Sequence, residues 1–212
     1  MSSGVVPDLP MARRSRHTKD ELQALIVAAT LELVREHGAA HVTARRIAEA
    51  IGYTPGMLYA AFTNLREILL HVNAVSLETL HADCVAARRE AVGPEASVRA
   101  MGLAYLHFAE HRTHQFDLLF QRVDVTGLTL PPTLSQSIRS LLGLVEEELA
   151  ALAPSADETR LQLGARALWV GVHGTAALAL SRQLYLDRPH VDREIVEAAI
   201  AHFIESWRES PP

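Results

Sequence analysis

Apolar residues fall three and four apart along almost the whole chain, and no run alternates with the period of two that a half-buried strand requires. The first stripe, Leu22, Leu25, Ile26, Ala29 and Leu33, follows Thr18 and Glu21, which have the spacing of a capping box, and it stops at Gly38. A shorter one carries Ile47, Ala48 and Ile51 between Thr43, a good N-cap, and Gly52, a left-handed stop. Thr54 then caps a third helix whose first position is Pro55, where a missing N–H costs nothing. Leu58 and Phe62, four apart, turn its apolar side back onto the helix before it. Two short helices joined by a tight turn with a glycine form a helix-turn-helix, a unit able to set its second helix in a DNA major groove.

Longer helices follow. Asn64 with Glu67 opens one that runs through Ile68, Leu69, Val72, Val75 and Leu80 toward Arg89. Gly93-Pro94 breaks the chain, and helices are predicted over 96–112 and 115–122. The run 123–133, with Gly127, Pro131 and Pro132, reads as a loop, and a helix over 134–152 ends before Pro154. Ser155 and Glu158 offer a further capping box to a helix of small residues, from Gly164 through Gly171, Gly174 and Ala177 to Ala179. Pro189 separates it from the last helix, whose stripe is Val196, Ala199, Ile200, Phe203 and Trp207. These two helices are more apolar than one body needs, which predicts a four-helix bundle shared with a second copy of the chain: a homodimer. Its interface would use Gly171, Ala177, Val196, Ile200, Phe203 and Trp207.

The stretch from Thr43 to Phe62 resembles the DNA-binding signature of TetR-type transcriptional regulators, carried here by Thr43, Ile47, Ala48, Gly52, Thr54, Gly56, Leu58, Tyr59 and Phe62. The resemblance implies an all-α fold: an N-terminal three-helix DNA-binding domain with the helix-turn-helix, then an α-helical ligand-binding and dimerisation domain. The boundaries expected are a disordered basic arm over 1–17, the helix-turn-helix domain over 18–64 and the effector-binding and dimerisation domain over 65–210. It implies a regulator, usually a repressor, that two recognition helices hold on an inverted-repeat operator of double-stranded DNA and that a small-molecule effector releases. Thr54, Pro55, Gly56 and Met57 open the recognition helix, where Thr54 can meet a phosphate or thymine methyl and Met57 a base edge. Tyr59, by the resemblance, places its hydroxyl on a phosphate, and Thr43 and Arg45 are candidates for backbone contacts, with Arg46 behind them. The chain also departs from the pattern. Ala60 and Ala61 stand where a long polar reader is common, and Leu65 where a lysine is often found, leaving Arg66 at one remove. Specificity would then rest on shape, arm and apolar contacts, or the operator affinity would be modest.

Composition changes the picture in a few places. Residues 11–72 hold 8 Lys and Arg against 6 Asp and Glu, whereas 73–212 hold 12 against 18; with Asp8 the formal total is −5. The N-terminal third is thus the part suited to a phosphate backbone. Arg13, Arg14, Arg16 and His17 end the arm, which either touches DNA or is a solvated tail. One cysteine, Cys84, excludes an internal disulfide. Without an apolar leader, and with apolar stretches broken by charge, the expectation is a cytoplasmic protein with no membrane span.

Trp169, His173 and Gly174 stand in a Trp-x-x-x-His-Gly arrangement that resembles the C-terminal domain of a TetR-type subset named for those residues. An effector pocket for an apolar molecule would draw on Met101, Tyr105, Phe108, Phe116, Leu119, Phe120, Trp169 and His173, although plain core packing explains most of these aromatics equally well. His107 and His111 share a helix face with Glu110, a spacing that can ligate zinc or nickel but arises readily by chance among 11 histidines, so no metal or other cofactor is assigned. Two other functions stay open: a small helical metal-dependent enzyme built on that histidine pair, and a dimerisation adaptor that has lost DNA binding.

Overall fold

The computed structural model describes residues 17–120, 130–186 and 188–209, and among these every regular element is a helix. The arm's Arg13, Arg14 and Arg16, and most of the loop expected over 123–133, lie outside the described residues. The head comprises α1 (Lys19–His37), a 3-10 turn (Ala39–His41), α2 (Ala44–Ile51) and α3 (Pro55–Leu58). The body comprises α4 (Leu65–Glu90), α5 (Pro94–His111), α6 (Thr113–Phe120), α7 (Pro132–Leu152), α8 (Glu158–Leu180) and α9 (Val191–Glu209).

Most helix starts obey the local chemistry of their caps. Thr18 and Glu21 form the reciprocal capping box, and the backbone and hydroxyl bonds from Thr18 hold the Glu21 carboxyl below its ordinary pKa. Asn64 accepts from the Glu67 N–H at 2.9 Å, but the Glu67 carboxylate reaches past it to the Thr63 N–H at 2.6 Å, so only half of the expected box forms. α5 and α7 begin earlier than their apolar stripes suggest because Pro94 and Pro132 occupy the N1 position. α8 corrects the expected Ser155 cap: Asp157 is the N-cap, its carboxylate accepting from the Arg160 N–H at 2.8 Å. The nearer acceptor, already extended at φ −76°, ψ 169°, takes the position.

Two cores result. In the head, Ile26, Val34, Ile47, Leu58 and Phe62 pack with Ile68 and Val72 of α4. In the body, the other side of α4, through Leu70, Leu77, Leu80 and Cys84, meets α5 and α7, on which α8 and α9 pack in turn. α4 therefore belongs to both. So does α6, which contributes Leu118 to the head core and Phe116 to the body core.

The last helix differs from expectation. Val196, Ile200 and Trp207, assigned to a subunit interface by their spacing, are buried within the chain. Trp207 donates its indole N–H to the Leu149 carbonyl at 3.2 Å and lies under Gly164, where an added Cβ would stand 2.7 Å from its ring. Gly102 likewise lets α5 approach α9, with Ile200 Cδ1 2.5 Å from an ideal Cβ. The small residues of α8 therefore serve intrachain packing at Gly164, whereas Gly171 and Gly174 face open space. α8 is also long and apolar enough to cross a membrane by length and composition alone, with mean hydropathy 1.2 over its best window, although Arg166 and His173 interrupt it as the sequence predicts. Alanine and glycine raise that mean without adding bulk, and α8 packs against α5, α7 and α9.

Trp207→Ala should cost about 3–5 kcal/mol of folding stability, the usual range for truncating a buried aromatic. Urea unfolding at two protein concentrations checks this. A loss that vanishes when the chain is dilute would return Trp207 to a subunit interface.

Candidate nucleic-acid interface and body cavity

The helix-turn-helix is assembled from its caps inward. The Thr43 hydroxyl accepts from the Arg46 N–H at 3.2 Å and starts α2; Gly52, at φ 71° and ψ 29°, ends it in the left-handed conformation that costs glycine nothing. Thr54 occupies the N-cap of α3 in extended geometry without spending its hydroxyl on a capping bond. α3 is a single turn, and the chain continues past it in looser turns closed by the Ala61 and Phe62 N–H groups on the Leu58 carbonyl. Leu58 is fully buried and fixes the pose of this short helix.

All seven residues expected to meet DNA, Thr43, Arg45, Thr54, Pro55, Gly56, Met57 and Tyr59, are exposed, Met57 by 39% and Tyr59 by 53%. Arg45 pairs with Glu49 at 2.8 Å in a solvated i, i+4 bridge, an interaction weak enough to leave the guanidinium available to a phosphate. Arg46 instead donates to the His41 carbonyl at 3.1 Å and braces the start of α2. Ala61 is buried in the head core, so a long reader would not fit there; Ala60 is exposed. Two positioning contacts escaped sequence reasoning. His17 Nδ1 lies 2.6 Å from the Tyr53 hydroxyl, and Gln23 donates to the Ala61 carbonyl at 2.8 Å. Nothing in their spacing announces either.

In the body, a cavity of about 60 Å³ lies among α4, α5, α7, α8 and α9. Of the expected lining, Met101, Tyr105 and Trp169 face it. Phe108 does not: it is fully buried as core. Phe116, Phe120 and His173 form an aromatic cluster beside it, with His173 3.9 Å from Phe120, 5.5 Å from Phe116 and 5.6 Å from Trp169 between ring centres. Tyr105 links cluster to cavity, its hydroxyl 3.1 Å from His173 Nδ1. Burial drives the Tyr105 hydroxyl well above its ordinary pKa and lowers that of His173, so both stay neutral near pH 7. Cys84, Leu141, Leu142 and Val145 complete much of the apolar wall, and sequence periodicity alone could not say which helices would meet around them.

α6 connects the two sites. Gln115, 1% exposed, donates to Ser76 Oγ on α4 at 3.1 Å and accepts from the Arg35 guanidinium on α1 at 3.3 Å. His114 donates to the Arg35 carbonyl at 2.9 Å. Phe116, the next residue, and Phe120, one turn further on, lie against His173.

A capped helix-turn-helix head mounted on a helical body with an internal cavity defines the class of helix-turn-helix regulators. Residues 26–72 match the model described as bacterial regulatory proteins, tetR family, and residues 98–203 match the tetracyclin repressor-like C-terminal domain. The chain belongs to the TetR family, whose members are transcriptional regulators and not enzymes. The C-terminal match names the tetracyclin repressor-like domain and not the Trp-His-Gly grouping. Among solved structures, a protein of unknown function from Rhodococcus sp. RHA1 has TM-score 0.71 at 19% identity, covering 92% of this chain and 98% of that one. RolR in complex with resorcinol has TM-score 0.66 at 14% identity, covering 92% and 96%. BioQ with its double-stranded DNA operator has TM-score 0.59 at 22% identity, covering 85% and 98%. No curated protein matches the sequence.

Burial pushes the Cys84 thiol up to about 12, which leaves it protonated and unreactive at neutral pH. A disulfide reagent should therefore modify Cys84 at the rate of global unfolding, and rapid modification of the folded chain would contradict the burial of this thiol.

Proposed function

We propose that the protein is a cytoplasmic, homodimeric repressor that binds an inverted-repeat operator and leaves it when a small apolar molecule enters the body cavity. The observation that carries this reading is α6, which joins the aromatic cluster to α1 of the DNA-binding head through one buried glutamine. RolR with resorcinol and BioQ on its operator are consistent with a ligand and with duplex DNA as partners.

At about 60 Å³ the cavity is smaller than the several hundred Å³ that ligand pockets occupy, so an effector must open it. A ligand that binds only the expanded body shifts the equilibrium by its differential affinity for that state. The wall is apolar, with hydrogen-bonding groups at Tyr105 and Trp169 and with His173 beside it, bonded to the Tyr105 hydroxyl. An effector with an apolar frame and one polar substituent fits that lining. Expansion moves Phe116 and Phe120, hence α6, Gln115 and α1, and changes the separation of the paired recognition helices from the roughly 34–36 Å of successive major grooves.

The proposed dimer uses the outward side of α8 rather than the buried stripe of α9. Leu163, Val170, Gly171 and Leu178 recur along it at helical spacing and are exposed, with Val170 at 59%. Ala177 is half-buried at its margin, and on α9 Phe203 is half-buried, stacked on Trp207 at 5.7 Å. A second copy would cover this apolar surface and complete a four-helix bundle.

Binding of DNA from the region upstream of the protein's own gene, followed by anisotropy, tests the head. Tyr59→Ala should weaken binding roughly tenfold on every sequence (about 1.4 kcal/mol) by losing a phosphate contact, whereas Met57→Ala should alter which sequence is preferred. Parental affinity and preference in both variants would show that α3 does not enter the groove.

Val170→Glu should convert the dimer to a folded monomer, because the carboxylate would be buried without a partner. Sedimentation velocity that shows an unaltered dimer would remove α8 from the interface.

A further inference from the structure

The C-terminal end of α5 carries three metal-ligating side chains on one side. His107, Glu110 and His111 place one ligand atom each within 4.8 Å of the others. The two imidazoles lie 3.8 Å apart between centres, their planes tilted by 32°. His111 Nδ1 donates to the His107 carbonyl at 2.9 Å, which fixes the tautomer and leaves Nε2 with a free lone pair pointing away from the backbone. A metal-bound histidine is oriented by the same kind of bond.

A second element converges on this group. The Glu110 carboxyl lies beside Asp192 at the start of α9, with His190 nearby. His190 sits at φ 58°, a left-handed conformation that a histidine rarely takes, at the junction that delivers the chain into α9. No arginine or lysine neutralises either carboxylate among the described residues. The neighbouring Arg112 is engaged elsewhere, with Asp83 at 3.0 Å and over the Phe108 ring. Two imidazoles and a carboxylate whose ligand atoms lie this close together form a donor set that a cation can occupy.

We propose that His107, Glu110 and His111 of α5 form a binding site for one divalent d-block cation of the zinc, cobalt and nickel class, with Asp192 of α9, beside Glu110, as the donor that a side-chain rotation would add. Two imidazoles and two carboxylates suit these borderline ions better than magnesium or calcium, which favour oxygen alone. Donors around tetrahedral zinc stand about 3.3 Å apart, a contraction that exposed side chains reach by rotation. A bound ion would tie the end of α5 to the start of α9. Arg112 and then α6 follow at once, so the ion would hold the corner from which α6 departs toward the head. This site is separate from the apolar cavity and does not rest on the effector reading.

The test uses the full chain without an affinity tag, stripped with chelator, and titrated with Co²⁺ by visible absorption and with Zn²⁺ by calorimetry. The expected result is one equivalent per chain, with affinity lowered about tenfold or more in His107→Ala, in His111→Ala and in Asp192→Asn. His202→Ala, which removes an exposed histidine of α9 with the same kind of Nδ1-to-carbonyl bond, should bind as the parent does. All four positions lie at the surface or its margin, and circular dichroism verifies that the variants fold. No stoichiometric binding by the parental chain, or parental binding in the His107→Ala, His111→Ala double variant, would overturn the site. Unchanged affinity in Asp192→Asn alone would refute the link to α9.

Discussion

A buried amide holds this molecule's two functions together. Gln115 has almost no contact with solvent, and its side chain bonds at once to α1 of the head and α4, the helix both cores share. Leaving either bond unmade would strand a polar group inside the protein, at roughly 1–3 kcal/mol, so α6 is not free to slide while the head and α4 keep their present relation. The apolar residues on either side reinforce this. Leu118 is seated in the head core and Phe116 in the body core, so a shift of α6 disturbs two packed interiors together.

The body side of that connection is not tightly filled. The small cavity beside Tyr105 is lined by side chains from five helices, and the aromatic cluster at its edge includes the residues of α6 nearest His173. Neutral Tyr105 and His173 keep the region free of net charge, which suits an uncharged or weakly polar guest. A polar defect lies elsewhere on α4: Asn73 Oδ1 is the one buried side-chain oxygen among the described residues that lacks a hydrogen-bond partner. It stands between Val72 of the head core and Ala74 of the body core. A helix carrying such a group at the seam is stabilised less there than elsewhere along its length.

What could be read from the sequence follows the range of the interactions concerned. Thr18 with Glu21, Thr43, Gly52 and Pro55 act within one helical turn, and the head they define is where the letters place it. The surface of the recognition turn was equally legible, since burying Leu58 and Phe62 leaves Met57 and Tyr59 outside. Longer-range choices were not. A stripe such as Val196, Ile200 and Trp207 says that one side of a helix is covered, not by which neighbour; Gly164, far along the chain, accommodates Trp207. The same limit hid Cys84 and Leu141 from the cavity lining and made Phe108, an inner core residue, look like a candidate for it. Ser155 lost the cap of α8 to Asp157 because two acceptors two residues apart cannot be ranked by residue type alone.

Selection of bound duplexes from random DNA measures most directly whether the exposed turn of α3 is presented twice to successive grooves. A dimeric reader predicts an enriched inverted repeat whose half-sites lie about one helical turn apart, at 10–10.5 base pairs or a multiple of it. A pool with no enriched sequence, or with single unpaired half-sites bound by one chain, would contradict it.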